Sequence, residues 1–161
     1  MTSAPSWAEE GLIDARLASL AGTASAEGRA FLEASIEAHR AAVALNPAAP
    51  YEWARLARAQ LLRGGRGPSA AVSLEMSVRT GAYANPDLVF ARVEMGLIVW
   101  RRSTDELRDL LAEQIRVAAR TDLPRLAGIA RRTYGGVFVR DTLKPDLAVL
   151  ARFDGFYLRH R

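Results

Sequence analysis

Apolar residues recur every three or four positions nearly throughout the chain, the spacing of helices buried on one face. Trp7, Ile13, Leu17 and Leu20 suit a first helix, with Gly22 just past its end. A second runs from about Ser25 to Leu45 and stops at Asn46-Pro47. The third begins after Pro50, carries Trp53, Leu56 and Leu61, and ends at Gly64-Gly65, where glycine accepts the left-handed turn of a helix end. Pro68-Ser69 opens a fourth with Ala71, Leu74 and Val78, closed by Gly81, and Asn85-Pro86 opens a strongly apolar fifth.

Ser103-Thr104-Asp105-Glu106 reads as a capping box, with the serine oxygen taking an early backbone N–H. Its helix carries Leu107, Leu110, Leu111, Ile115 and Ala118, and Asp122 with Pro124 starts a seventh. The stretch "GVFVRDTL" fits a short strand or a short helix; with no partner strand elsewhere, helix is favoured. Pro145 opens a last helix with Leu147, Leu150 and Phe153, expected to end near Asp154-Gly155. Short connections between successive helices imply antiparallel neighbours.

Composition narrows this picture. The 161 residues suffice for one domain or one short solenoid with a real core. Cysteine is absent, which removes disulfides, thiolate metal sites and cysteine nucleophiles. The longest apolar stretch, Leu88 to Trp100, contains Arg92 and Glu94 and is too short to span a bilayer. No basic start followed by an apolar run marks a signal peptide. The chain therefore reads as soluble and cytoplasmic, or periplasmic or membrane-associated where an anchor has been lost. The net charge of +4 is uneven: 8 basic and 8 acidic residues up to Thr80, then 14 against 10. Lys144 is the only lysine; the other cations are arginine, either through genome composition or because a planar guanidinium binds carboxylate and phosphate in pairs of hydrogen bonds.

"NPAAPYEWARLARAQLLRGG", residues 46–65, resembles a tetratricopeptide repeat, a helix–turn–helix unit of about 34 residues. Trp53, Leu56, Ala57 and Gly64 stand where that family has its tryptophan, its Leu-Gly pair and its turn glycine. Ala70, Leu74 and Ser77 stand for the Ala, aromatic and Ala of the second helix, after one inserted residue in the turn. Ser35, His39, Ala42 and Pro47 fit a preceding second helix. Phe90-Ala91-Arg92 repeats Leu56-Ala57-Arg58 one period on, but Asp87 replaces the tryptophan and Pro47 to Pro86 is 39 residues, longer than the family period. Leu126, Ile129, Ala130 and Arg131, and Leu147, Leu150, Ala151 and Arg152, echo the pattern more weakly.

The resemblance implies an all-α fold, a short right-handed α-solenoid of about 7–9 helices in antiparallel pairs. On this reading 1–161 is a single domain. Residues 1–24 form an N-terminal capping helix, 25–120 the repeat-like pairs and 121–161 irregular capping helices. Trp53 is expected to be sealed between layers. An irregular helical bundle with coincidental spacing is the alternative.

Candidate chemistry is sparse. His39 falls where the repeat packs an aromatic, and His160 lies in the terminal "RHR". No His-Glu-x-x-His spacing exists, and no metal or cofactor is implied. "RGGRGPS", Arg63 to Ser69, lacks the Gly-Lys-Ser/Thr ending of a phosphate loop and reads as a helix connection. Glu33 with Glu37, and Asp105 with Asp109, share helix faces; such pairs raise a pKa for acid–base work or simply face solvent.

Arginine is the remaining signal. The repeat register implies that Arg55 and Arg58 line a concave groove, followed by Arg92, Arg131 and Arg152, with Tyr51, Leu62, Val89 and Trp100 as apolar walls. Pairing with neighbours such as Glu52 and Glu94 is the plainer fate of those arginines. Trp7 and Tyr157 would cap the ends or mark a partner patch. The leading expectation is a non-enzymatic interaction or scaffold module that binds a protein or peptide, acidic in character, in that groove. A weaker similarity of "NPDLVFARVEMGLIVW" and "STDELRDLLAEQIRVAAR" to small repeat proteins of bacterial polysaccharide assembly and export implies a scaffolding role there. The alternatives are RNA, DNA or another anionic polymer bound by the basic second half, and a hydrolase using paired carboxylates.

Overall fold

The computed structural model describes residues 3–64 and 67–159. Among them it contains nine α-helices, one 3-10 turn and no strand. These are α1 (Ala4–Ala21), α2 (Ala26–Leu45), α3 (Pro50–Leu62), α4 (Pro68–Thr80), α5 (Pro86–Val99), α6 (Asp105–Thr121), α7 (Leu123–Arg132), α8 (Gly136–Leu143) and α9 (Leu147–Leu158), with the 3-10 turn at Trp100–Arg102. The protein is all-α. Gly65, Arg66 and His160, which figured in the expectations above, lie outside the described residues.

Local chemistry sets the helix starts. Ser3, Ser25, Asn85, Thr104, Asp122 and Asp146 each accept, through a side-chain oxygen, the backbone N–H three residues on. That satisfies one of the orphan donors of a first helical turn. α3 and α4 begin instead on Pro50 and Pro68, whose missing N–H costs nothing there. Two expectations are corrected. Thr104, not Ser103, caps α6, its Oγ1 3.2 Å from Leu107 N, because the Ser103 hydroxyl turns back to donate to the Val99 carbonyl at 3.3 Å. α9 runs through Asp154-Gly155 to Leu158, held by Phe156 and Tyr157 packing on the core.

Contacts cluster into two compact units, Met1–Ala82 and Tyr83–Arg161. The boundary falls where the repeat pattern fades in the sequence. In the first unit α1 packs on α2, α2 on α3 and α3 on α4. The turn from α1 to α2 is tight: a β-carbon at Gly28 would lie 2.1 Å from the Gly22 carbonyl oxygen. Ala57, Ala70, Leu74 and Ser77, four of the repeat-like positions, are buried. Trp53 departs from expectation. It is half-buried beside Ile36, Val43, Leu56 and Ala59, and its indole N–H donates to the Pro47 carbonyl at 2.9 Å. The turn before α3 supplies that acceptor at the surface, so the ring edge stays outside.

In the second unit consecutive helices touch, and so do α5 with α7, α6 with α8 and α7 with α9. All five contribute to one core, including Phe90, Val93, Ile115, Leu126, Ile129, Val139, Leu143 and Phe153.

Candidate partner-binding face

Helical spacing puts Tyr51, Arg55, Arg58 and Leu62 on one stripe of α3, each three or four residues from the next. The stripe is open: Tyr51, Arg58 and Leu62 are exposed, and the Arg55 side chain is 37% exposed. Arg58 makes no ion pair or hydrogen bond among the described residues. Four of the seven residues expected to meet a partner thus share a face.

Glu52 anchors this face from behind. Arg55 Nη1 donates to Glu52 Oε1, and His39 Nδ1–H donates to Glu52 Oε2 at 2.9 Å. Burial pushes the Glu52 carboxyl upward, but the hydrogen bond from His39 and the charge of Arg55 outweigh it and hold the group below its ordinary 4.5. His39 itself is fully buried against α1. A β-carbon at Gly11 would lie 2.8–2.9 Å from three atoms of its imidazole. Ser35 on α2 donates its hydroxyl to the Gly11 carbonyl at 2.8 Å. Two separate polar contacts therefore tie α1 to α2 and α2 to α3, and Glu52 also holds Arg55. His39 is a structural tie, with its ring packed rather than presented to solvent.

Beside Tyr51 and Glu52 lies a cleft of about 280 Å³ walled by small side chains: Ala4, Pro5 and Ala8 of α1, Ala42 of α2, and Asn46 and Ala49 of the following turn. The Tyr51 ring forms its rim, so the stripe and the cleft are continuous.

The other three arginines have different surroundings. Arg92 is fully buried and donates from Nη1 to Gln114 Oε1 at 3.4 Å, so it lines no open groove. α5 is apolar on nearly every side, and the position that is solvent-facing at Arg58 is interior here. Arg131 is half-buried and holds the end of α9, its Nη1 donating to the Phe156 and Tyr157 carbonyls at 2.6 and 3.4 Å. Arg152 is exposed on α9. Glu94 pairs with Arg132 at 3.1 Å rather than with Arg92. Of the apolar walls, Val89 is buried, and Trp100 is half-buried, stacked on Phe138. Tyr157 packs on Phe153 with Arg140 over its ring.

Glu33 pairs with Arg63, Glu37 with Arg40 at 2.6 Å and Asp105 with Arg108 at 2.9 Å, all near the surface. Among the described residues no three histidine, aspartate or glutamate side chains gather as a metal cage, and no helix is long and apolar enough to cross a membrane. In the second unit Arg108, Arg116, Arg125, Arg132, Arg140 and Lys144 are each paired with an acid.

Sequence reasoning missed the Glu52–His39 tie and the cleft over Ala4 and Ala8. Neither has a local signal, since the tie needs α3 folded onto α2 and the cleft needs α1 beside them. Comparison with known proteins finds no family model, no curated protein and no solved structure that matches this chain.

Proposed function

We propose that the chain is a non-enzymatic interaction module, and that the outer face of α3 receives an acidic segment of a partner protein. The observation that carries this is the open Tyr51–Arg55–Arg58–Leu62 stripe, with Arg58 uncommitted and an apolar cleft at its Tyr51 end. The tetratricopeptide-like spacing of Trp53, Leu56 and Ala57 supports the same face, since that family uses the corresponding helix side for peptides.

Each part of the stripe has a separate task. A carboxylate set against Arg58 gains charge-assisted hydrogen bonds worth about 1.5–3 kcal/mol. Arg55 contributes less, because Glu52 already takes one of its donors. Tyr51 and Leu62 flank the cations, so the preferred segment has apolar residues on either side of its acid. A small apolar side chain fits the alanine-walled cleft.

The test is an array of acidic, neutral and basic peptides, each with flanking leucines, probed with the intact chain. Acidic peptides should be retained, Arg58→Glu should lose them, and Arg58→Glu should gain basic ones. Arg55→Glu should have a smaller effect. If the folded Arg55→Glu/Arg58→Glu variant keeps the same peptides, the reading is wrong. Retention of generic RNA in place of peptides would move the function to nucleic acid.

A further inference from the structure

The second unit has a cleft of its own, independent of the α3 face. It measures about 450 Å³ and lies among the end of α6, the start of α7 and the middle of α9. Its size is that of a small-molecule or side-chain pocket.

Its charges are arranged differently from those of the surrounding surface. Arg120 and Arg152 both line it, both are exposed, and neither has an acid partner among the described residues. Six other cations of this unit are paired with acids, and these two are not. One acid, Asp122, also lines the cleft. It is held in place as the cap of α7, its Oδ1 accepting the Arg125 N–H at 3.0 Å. Two positive groups and one fixed negative group leave room for one negative charge and repel a second. Apart from Thr121 the rest of the lining is apolar, with Leu123, Val149 and Phe156.

We propose that this cleft binds a monoanionic carboxylate that carries an aliphatic or aromatic group. The two guanidinium forks match the planar carboxylate, and the apolar group lies on Val149 and Phe156. Asp122 selects against the dianionic form of phosphate. The carboxylate comes either from a free organic acid or from the C-terminus of an apolar peptide.

The experiment titrates the full chain with hexanoate, hexanol, inorganic phosphate, and the peptide acetyl-Ala-Ala-Leu as acid and as amide, followed by amide NMR shifts. The expected result is saturable shifts at residues 119–123 and 149–156 with hexanoate or the peptide acid, absent with hexanol and weak with phosphate. Arg120→Gln and Arg152→Gln should each weaken binding about tenfold. Both residues are exposed, so the variants keep the fold, which the unshifted amides of α5 verify. Tighter binding of the peptide acid than of hexanoate assigns a chain terminus; the reverse assigns a free acid. Phosphate or hexanol shifting the same amides as strongly overturns the proposal, as does an Arg152→Gln variant that binds unchanged. Arg58→Glu should leave these titrations alone, which separates this cleft from the α3 face.

Discussion

The first unit buries many alanines, glycines and serines among Leu32, Ile36, Leu56 and Leu74, and the second fills a shared core richer in large side chains, phenylalanine included. Buried positions of α2 to α4 include Ala38, Ala42, Ala54, Ala57, Ala59, Ala70 and Ala71. Such residues let backbones approach but bury little apolar area each. Cross-helix hydrogen bonds add to that contact: Ser35 to the Gly11 carbonyl, Ser77 to the Pro50 carbonyl at 2.7 Å, and Ser73 to Gln60 at 3.0 Å. The second unit has cross-helix bonds too, such as Arg131 to the Phe156 carbonyl at 2.6 Å, but there Phe90, Leu126, Ile129 and Phe153 each remove a large side chain from water. The difference teaches that the second unit has more to lose from removed atoms, whereas close glycine contacts occur in both: a β-carbon at Gly96 would lie 2.4 Å from Leu111.

The largest effect should come from emptying the second core. Phe153→Ala should cost about 3–5 kcal/mol in urea unfolding, with amide exchange speeding up in α7 and α9. A loss below about 1 kcal/mol would show that this core collapses around the gap and would break the contrast. Equal loss of protection in α2 and α3 would show that the units unfold together.

Next comes added volume. Gly11→Ala drives a methyl into the His39 imidazole, which Glu52 prevents from swinging away, and should cost about 1–3 kcal/mol. Gly128→Ala in α7 is the counterpart. Its methyl would meet Arg132 Nη1 at 3.6 Å, an ordinary contact, so the change should stabilise by about 0.5–1 kcal/mol through helix propensity. Calorimetry of both variants gives the two signs directly.

The Glu52 tie should show in pH dependence. Its folded value lies below 4.5, so its contribution is present above the ordinary value and disappears as pH falls through the folded one. Glu52→Gln should cost about 1–2 kcal/mol at pH 7, and the gap to wild type should narrow as pH drops below about 4.5. A gap independent of pH would mean that shape rather than charge holds α3. The smallest effect belongs to Arg58→Glu, within about 0.5 kcal/mol in stability even as acidic peptides are lost.

Much of the helix layout was legible in the sequence because caps act locally. Ser25, Asn85 and Asp122 start their helices as read, and Pro50 and Pro68 do so by fixing backbone angles. Ser103 and Thr104 are adjacent hydroxyls, and only the 3-10 turn before them decides which one caps. α9 crosses Gly155 because tertiary packing outweighs a propensity penalty of about 1 kcal/mol. The site was harder to read. Arg58 and Arg92 stand one repeat period apart, yet one meets solvent and the other the interior. Spacing within a helix says which residues share a side; it does not say what covers that side.

The neighbour-by-neighbour packing of α1 to α4 also bears on biosynthesis. Each of these helices packs on its neighbours in the chain. Contacts of short sequence separation form fast and with little loop-closure cost. A nascent chain can therefore close α1 on α2, then add α3 and α4, before the ribosome has finished residues 83–161. The second core must wait for Phe153, so that its partly built apolar surface stays uncovered while residues 83–153 are made.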